Sequence, residues 1–318
     1  MHRLPGSDFW YALIELPTGS RVEYKLEVVR DGRGELIDDP LNPRRAHSPL
    51  GSTSVVVGDG YRKPSWAVKD PEARAGELVE LALPSRALAA DRRITVYLPA
   101  RFRRTTTYPL LIVHDGGDYL EFAALKTVLD NLIYRQDMTE VIAVLTYPEN
   151  RLVEYANDPR HARFLTRELL SSMESRFPAG GAPQRRCLMG SSFGAVASLS
   201  TAYRNPGVYG SLLLQSGSFA FTDIGNDHGG GPAFDPVVRF VNAFRDRPRR
   251  VVERAFVSCG VYEPLIYYNR SMVPVLQATG IDVRYVESCD GHNWVSWRDR
   301  LRDAFSWLFP GAQKLVYE

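Results

Sequence analysis

The segment Cys187-Leu188-Met189-Gly190-Ser191-Ser192-Phe193-Gly194-Ala195 holds residues whose types and spacing suit nucleophilic chemistry. A short apolar run enters G-x-S-x-G and leaves into an alanine-rich stretch, the context in which a strand turns sharply into a helix and lifts the central serine above a sheet. Such a turn needs small residues two before and two after the serine so that strand and helix pass closely, and Gly190 and Gly194 meet that need. The helix behind Ser192 points its first N–H groups at the place where an oxyanion would form, and Phe193 is expected to donate one of them. A glycine-rich strand-to-helix turn is also an ordinary structural device, so the partners of Ser192 decide the reading.

In a sheet of this kind the order along the chain is serine, then acid, then histidine, with the last two following late strands. That order is present. Glu263 follows the apolar run Ala255 to Ser258, and His292 follows Val283 to Glu287. Asp290 is a rival acid, but a residue two positions from the histidine reaches its Nδ1 with difficulty, which favours Glu263. Ser192 would attack an acyl carbon, His292 would take its proton and return it to the leaving alcohol, and Glu263 would hold the imidazole tautomer. His2, His47 and His161 are expected on the surface and His114 in a structural hydrogen bond. A second oxyanion donor should come from the loop after Leu110 to Val113; Gly117 is the candidate and Asp118 the fallback. Asp115 and Asp118 lie near each other without a further cluster at ligand spacing, so neither a metal nor another cofactor is expected. Tyr119, Phe219, Tyr262 and Trp294 are candidates for an aromatic substrate wall. Arg151 and Glu154 are expected to pair with each other. Gly225 to Gly231, with His228 inside it, is a candidate lid.

These residues require a scaffold, and the pattern supplies one. Up to about residue 60, alternation at Val22, Tyr24, Leu26 and Val28, turn residues at 17–20 and 31–32, and Asp39-Pro40-Leu41-Asn42-Pro43 predict a small β-sandwich. From Glu77 onward, apolar runs alternate with helical spacing. Leu78 to Leu83 pairs with Arg93 to Leu98 as a hairpin; Pro109 to His114, Val141 to Leu145, Cys187 to Met189, Tyr209 to Leu214, Arg254 to Ser258 and Val283 to Glu287 follow as strands. Helices are expected at 160–176, 195–203, 265–279 and 294–308. Alternation of this kind predicts a mostly parallel sheet covered on both faces. The expected division is a β-sandwich over 1–72 and an α/β-hydrolase catalytic domain over 73–318.

The bulk composition narrows the classes without choosing among them. The 318 residues carry a formal charge of +2, with five lysines and 34 arginines, so no electrostatic footprint for nucleic acid stands out. Three cysteines are too few and odd in number for a disulfide framework. No apolar run approaches about 18 residues, and no secretory signal opens the chain, which leads to the expectation of a cytoplasmic protein without a membrane partner.

With these residues assembled, the chain resembles the enterochelin esterase family of α/β hydrolases, within the wider esterase D group. The resemblance runs in order through Asp39 to Pro43, Val96 to Pro99, His114 to Gly116, Arg151 to Tyr155, Glu168 to Leu170, Gly190 to Gly194, Gln215 to Ser218, Glu263-Pro264, and Gly291-His292 with Trp297-Arg298. It implies an early-set, Ig-like β-sandwich ahead of a serine esterase, with Ser192, Glu263 and His292 at the matching positions and the sandwich over the edge of the site. The substrate it implies is a small-molecule ester, a siderophore trilactone or a relative of one. The alternatives are a feruloyl or acetyl carbohydrate esterase and, in another class, a non-catalytic binding protein on the same fold.

Overall fold

A computed structural model describes residues 1–221 and 231–312. The candidate lid at 225–231 therefore lies, except for Gly231, outside the described residues. Eight strands form one sheet: β1 (Glu77–Ser85), β2 (Ala90–Leu98), β3 (Leu110–Val113), β4 (Ile142–Thr146), β5 (Arg186–Ser191), β6 (Ser211–Gln215), β7 (Arg254–Gly260) and β8 (Asp282–Ser288). Their spatial order is β8-β7-β6-β5-β3-β4-β2-β1. The hairpin β1–β2 is antiparallel and joins β4 antiparallel, while β4, β3, β5, β6, β7 and β8 run parallel. This is the α/β arrangement expected from the alternation. β3, β4 and β6 are buried along their whole length, as strands with helices on both faces must be.

Two apolar layers flank the sheet. One holds Ile112, Val144, Leu188, Leu214 and Val257 against Val196 and Leu199 of the helix after Ser192. The other holds Val113, Leu145, Met189 and Phe256 against Leu129, Trp294, Leu301 and Phe305. Successive side chains point to opposite faces of a strand, so adjacent residues such as Leu188 and Met189 enter different layers.

The parallel register places the ends of the strands on one edge. Ser191 of β5 lies beside Gln215 of β6, Gln215 beside Ser258 of β7, and Ser258 beside Val286 of β8. The loops leaving the carboxyl ends of β3, β5, β6, β7 and β8 thus gather in one place, where open α/β sheets bind ligands.

The N-terminal segment is all-β but thin. Arg21–Tyr24, Gly51–Val57 and Arg45–Ser48 form a three-stranded sheet, and Leu26–Arg30 pairs with Arg33–Ile37. Its buried residues are few, Ala46 and Val55 among the apolar ones. Residues 65–68 already lie on the catalytic part, where Asn131 Nδ2 donates to the carbonyls of Trp66 and Val68.

Several sequence expectations change here. Ahead of the turn at 17–20 the only strands among the described residues are the two-residue His2–Arg3 and Trp10–Tyr11, all exposed. The helix 160–176 runs through a π-helical stretch at Phe164–Leu169. His161 is buried rather than on the surface, with its Nε2 3.1 Å from His114 Nε2. Arg151 and Glu154 do not pair. Arg151 holds Asp115, and Glu154 holds the buried Arg92 at 2.7 and 3.2 Å while accepting the N–H groups of Glu149 and Asn150.

Burial pushes the Glu154 carboxyl up, but His161, these N–H groups and Arg92 outweigh it and bring it down to about 2. A carboxyl with a folded pKa below its unfolded value stabilises the fold above pH ~4.5, and that contribution is lost as pH falls toward ~2. Glu154→Gln should therefore lower stability by about 3 kcal/mol at pH 7. In urea titrations the gap between parent and variant should narrow below pH ~4.5; a gap that stays constant from pH 7 to pH 3 would show that the ionised carboxylate is not what stabilises.

Candidate active site

The turn after β5 has the expected geometry. Ser192 sits at φ 56° and ψ −119°, between the strand and the helix Phe193–Arg204. A side chain at Gly190 would collide with the backbone of Gly194, so strand and helix touch through glycine. The Ser192 N–H donates to Gln215 O at 2.9 Å, which ties the strained residue to β6. A non-glycine residue in this region of φ costs on the order of 1–3 kcal/mol and persists only where its surroundings over-determine it.

Two further residues of this kind flank it. Asp115, at φ 53°, precedes the helix Gly116–Glu121, and Ser216, at φ 47°, follows β6. The Asp115 carboxylate takes the Arg151 guanidinium in a fork at 2.8 to 3.0 Å, and Arg151 also donates to Ser191 O at 3.3 Å. Arg151 therefore ties the loop after β3 to the residue before Ser192. Asp118 is half-buried, and burial and the neighbouring Asp115 push its carboxyl up to about 6.

The acid and histidine come together from β7 and β8. His292 Nδ1 meets Glu263 Oε2 at 2.5 Å. Glu263 is buried, and its other oxygen accepts from Ser216 Oγ at 2.6 Å and Gly260 N–H at 2.6 Å. Burial pushes this carboxyl up; His292, Ser216 and Gly260 more than offset that and hold it below its ordinary value. The imidazole also rests edge-on against Trp297, 5.0 Å between ring centres. Asp290 does not reach His292 Nδ1. It faces Gly291 N–H, Asn293 and Arg21, and burial pushes its carboxyl up to about 6.

Ser192 Oγ lies 3.1 Å from Ser218 Oγ. Among the described residues there is no direct hydrogen bond between Ser192 Oγ and the imidazole. The segment Gln215 to Ser218 instead reaches both ends of the site, through Ser218 to Ser192 and through Ser216 to Glu263. Trp297 Nε1 donates to Ser216 Oγ at 2.8 Å and fixes its orientation. The motif Gln-Ser-Gly-Ser was visible in the sequence, but nothing in its spacing linked it to a carboxylate 47 positions later.

The first residue of the helix behind Ser192 is Phe193, and Gly117 is the second of the helix after β3; N–H groups there lack partners within their helices. A side chain at Gly116 would collide with Leu145 and one at Gly117 would crowd the Tyr147 ring, so both glycines answer to packing.

The aromatic wall needs correction. Tyr119 and Phe219 are wholly buried and present no surface to a substrate. The Tyr119 hydroxyl donates to Gln215 Oε1 at 2.8 Å, and Phe219 folds back against Gly217. Trp294 is also buried, edge-on to Tyr119 and Trp297. Tyr262 is half-buried, with its hydroxyl 2.7 Å from Ser20 Oγ of the N-terminal segment. The spacing put these rings near the site, but the strand ends needed them as packing. Cys187 is buried within β5, and burial pushes its thiol up to about 12.

Sheet order, strained serine turn and clustered strand ends define an α/β hydrolase. The putative esterase family model matches residues 85–249, and the chain belongs to that family. The iron(III) enterobactin esterase of Dickeya dadantii is 24% identical over 98% of this chain and 79% of its own length. The Escherichia coli O6:H1 enzyme of the same name is 23% identical over 95% of this chain and 79% of its own. Among solved structures, the ferric enterobactin esterase of Salmonella typhimurium aligns at a TM-score of 0.75 and 20% identity, over 97% of this chain and 83% of that one. A ferulic acid esterase from Anaeromyces mucronatus aligns at 0.61 and 16% identity, over 78% and 96%. No helix among the described residues is long and apolar enough to cross a membrane.

Ser216→Ala removes one of the donors that hold Glu263. It should lower kcat for ester hydrolysis by roughly tenfold, the worth of about one hydrogen bond, with KM near the parental value. Steady-state kinetics on a p-nitrophenyl ester measure both constants, and an unchanged kcat would remove Ser216 from any part in orienting the acid.

Proposed function

We propose that the protein is a serine esterase in which Ser192, His292 and Glu263 form a catalytic triad acting through an acyl-enzyme. The observation that carries this reading is the joining of a positive-φ serine on the β5-to-helix turn with a buried, three-times-bonded Glu263 that grips His292 on the same sheet edge. His292 Nε2 accepts the Ser192 proton as Oγ attacks the ester carbon. Glu263 keeps the Nδ1–H tautomer in place and balances the imidazolium that forms. The N–H groups of Phe193 and Gly117, at helix N-termini, receive the oxyanion, with Asp118 N–H the fallback for the second. The imidazolium then protonates the leaving alcohol, and a water activated by His292 releases the acid. The short contact from Ser192 to Ser218 is compatible with this, since the serine–histidine bond commonly tightens only when substrate is in place.

Ser192→Ala should lower kcat on a short-chain p-nitrophenyl ester by about 10³ to 10⁶. A fluorophosphonate probe should label the parent and not the variant. Parental activity in the variant would refute the nucleophile, and an unlabelled parent would favour a non-catalytic binding protein.

The substrate class rests on the named relatives, two of which are iron(III) enterobactin esterases. The two arginines bonded to the loops of the site are each committed to carboxylates, Arg151 to Asp115 and Arg21 to Glu23 and Asp290. That disfavours a highly anionic ligand and favours a neutral or modestly charged carboxylic ester within the cytoplasm. A feruloyl or acetyl carbohydrate ester is the second reading, favoured by the coverage of the ferulic acid esterase structure. A panel of catecholate trilactone, feruloyl sugar and simple aryl ester separates them by kcat/KM. The favoured reading requires the simple aryl ester to exceed both the ferric trilactone and the feruloyl sugar by at least about tenfold, a difference of about 1.4 kcal/mol in transition-state binding, and a feruloyl sugar that leads by that margin supports the second reading.

A further inference from the structure

The strand Arg21–Tyr24 of the N-terminal segment begins against the two loops that carry Glu263 and His292. Arg21 is buried, at 5% exposure. Its backbone N–H donates to Cys289 O at 2.9 Å. Its side chain divides: Nη2 donates to Glu23 Oε1 at 2.8 Å, while Nη1 donates to Asn293 Oδ1 at 3.2 Å and lies 3.5 Å from Asp290 Oδ2. One guanidinium therefore grips both sides of His292 at once. Next to it, Ser20 Oγ bonds the Tyr262 hydroxyl, and Tyr262 N–H donates to Asp290 O at 3.2 Å. The turn before Glu263 and the loop around His292 are thus joined to each other and to residues 20 and 21.

We propose that Arg21 is a positioning residue of the esterase site, by which the N-terminal segment holds the His292 loop against the Glu263 turn. This rests on the assignment of His292 and Glu263 to the triad. His292 itself is held by its neighbours, because its side chain is a third exposed and has one hydrogen bond, to Glu263. Asp290 and Asn293 fix the loop on either side, and Asn293 Oδ1 also caps the following helix through Ser296 N–H. Releasing Arg21 would leave Asp290 buried without its cation and free the loop to shift. Displacement of a reacting group by about 1 Å costs on the order of 10²-fold in rate. A lysine in place of Arg21 keeps a charge but cannot span Glu23 and the 290–293 loop with two arms.

The test compares parent, Arg21→Ala and Arg21→Lys with Ser192→Ala as reference, on p-nitrophenyl acetate, with circular dichroism melts of the same samples. The expected order of kcat is parent, then Arg21→Lys, then Arg21→Ala, the last lower by about 10- to 100-fold. KM should remain within about twofold in both, since Arg21 is buried and bonded to Glu23, Asp290 and Asn293. A folded Arg21→Ala with parental kcat overturns the proposal, as does a loss seen equally in KM. Should Arg21→Ala fail to fold, Arg21→Lys carries the test alone, and parental kcat in it overturns the proposal. Activity retained by Ser192→Ala would instead refute the triad, so the two failures are distinct.

Discussion

A strand that passes into a helix through a single residue leaves no room for side chains where the two elements cross. That constraint, at Ser192, orders the rest of the molecule. It demands glycine at 190, where a side chain would meet the Gly194 backbone, and it goes with the positive φ of Ser192; a side chain at 194 would instead crowd His114. The strained turn must then be held from outside, by Gln215 on one side and by the Arg151–Asp115 fork on the other. The strain at Asp115 and Ser216 belongs to the same arrangement, because the neighbouring strands must also turn abruptly at the shared edge.

Around that turn the charges are placed so that none is buried alone. Glu263 is answered by His292, Ser216 and Gly260; Asp115 by Arg151; Arg92 by Glu154; Arg21 by Glu23 and Asp290. Removing one member of such a pair costs more than the pair contributes, since the partner is left in a poor solvent. For the proposed triad the consequence is that Glu263 and His292 are already paired without a substrate. The arginine content, which suggested little from composition, is partly spent in these forked contacts, where lysine would not serve.

Strand and helix alternation was legible because buried parallel strands are continuous apolar runs, and Glu263 and His292 could be singled out because they follow such runs. Helix Asp235–Asp246, absent from the expected helices, carries its helical spacing in Val237, Val238, Phe240, Val241 and Phe244, all buried. The helix Gly116–Glu121 was hidden by its two glycines, which look like a loop until Leu145 and Tyr147 are seen pressing on them. The aromatic residues near the motifs could not be sorted into wall and core, since ring burial depends on which strand end lies beside which.

The local sequence determined the turn at Ser192, the placing of Glu263 and His292 after late strands, and the class of sheet, because each depends on backbone sterics or on periodicity over a few residues. The tertiary structure alone decided that Ser216 and Ser218 reach the two ends of the site, and that residues 20 and 21 brace loops some 240 to 270 positions away. Those contacts arise from the parallel register of β5 to β8 and the docking of the N-terminal segment, long-range pairings that leave no period in the chain.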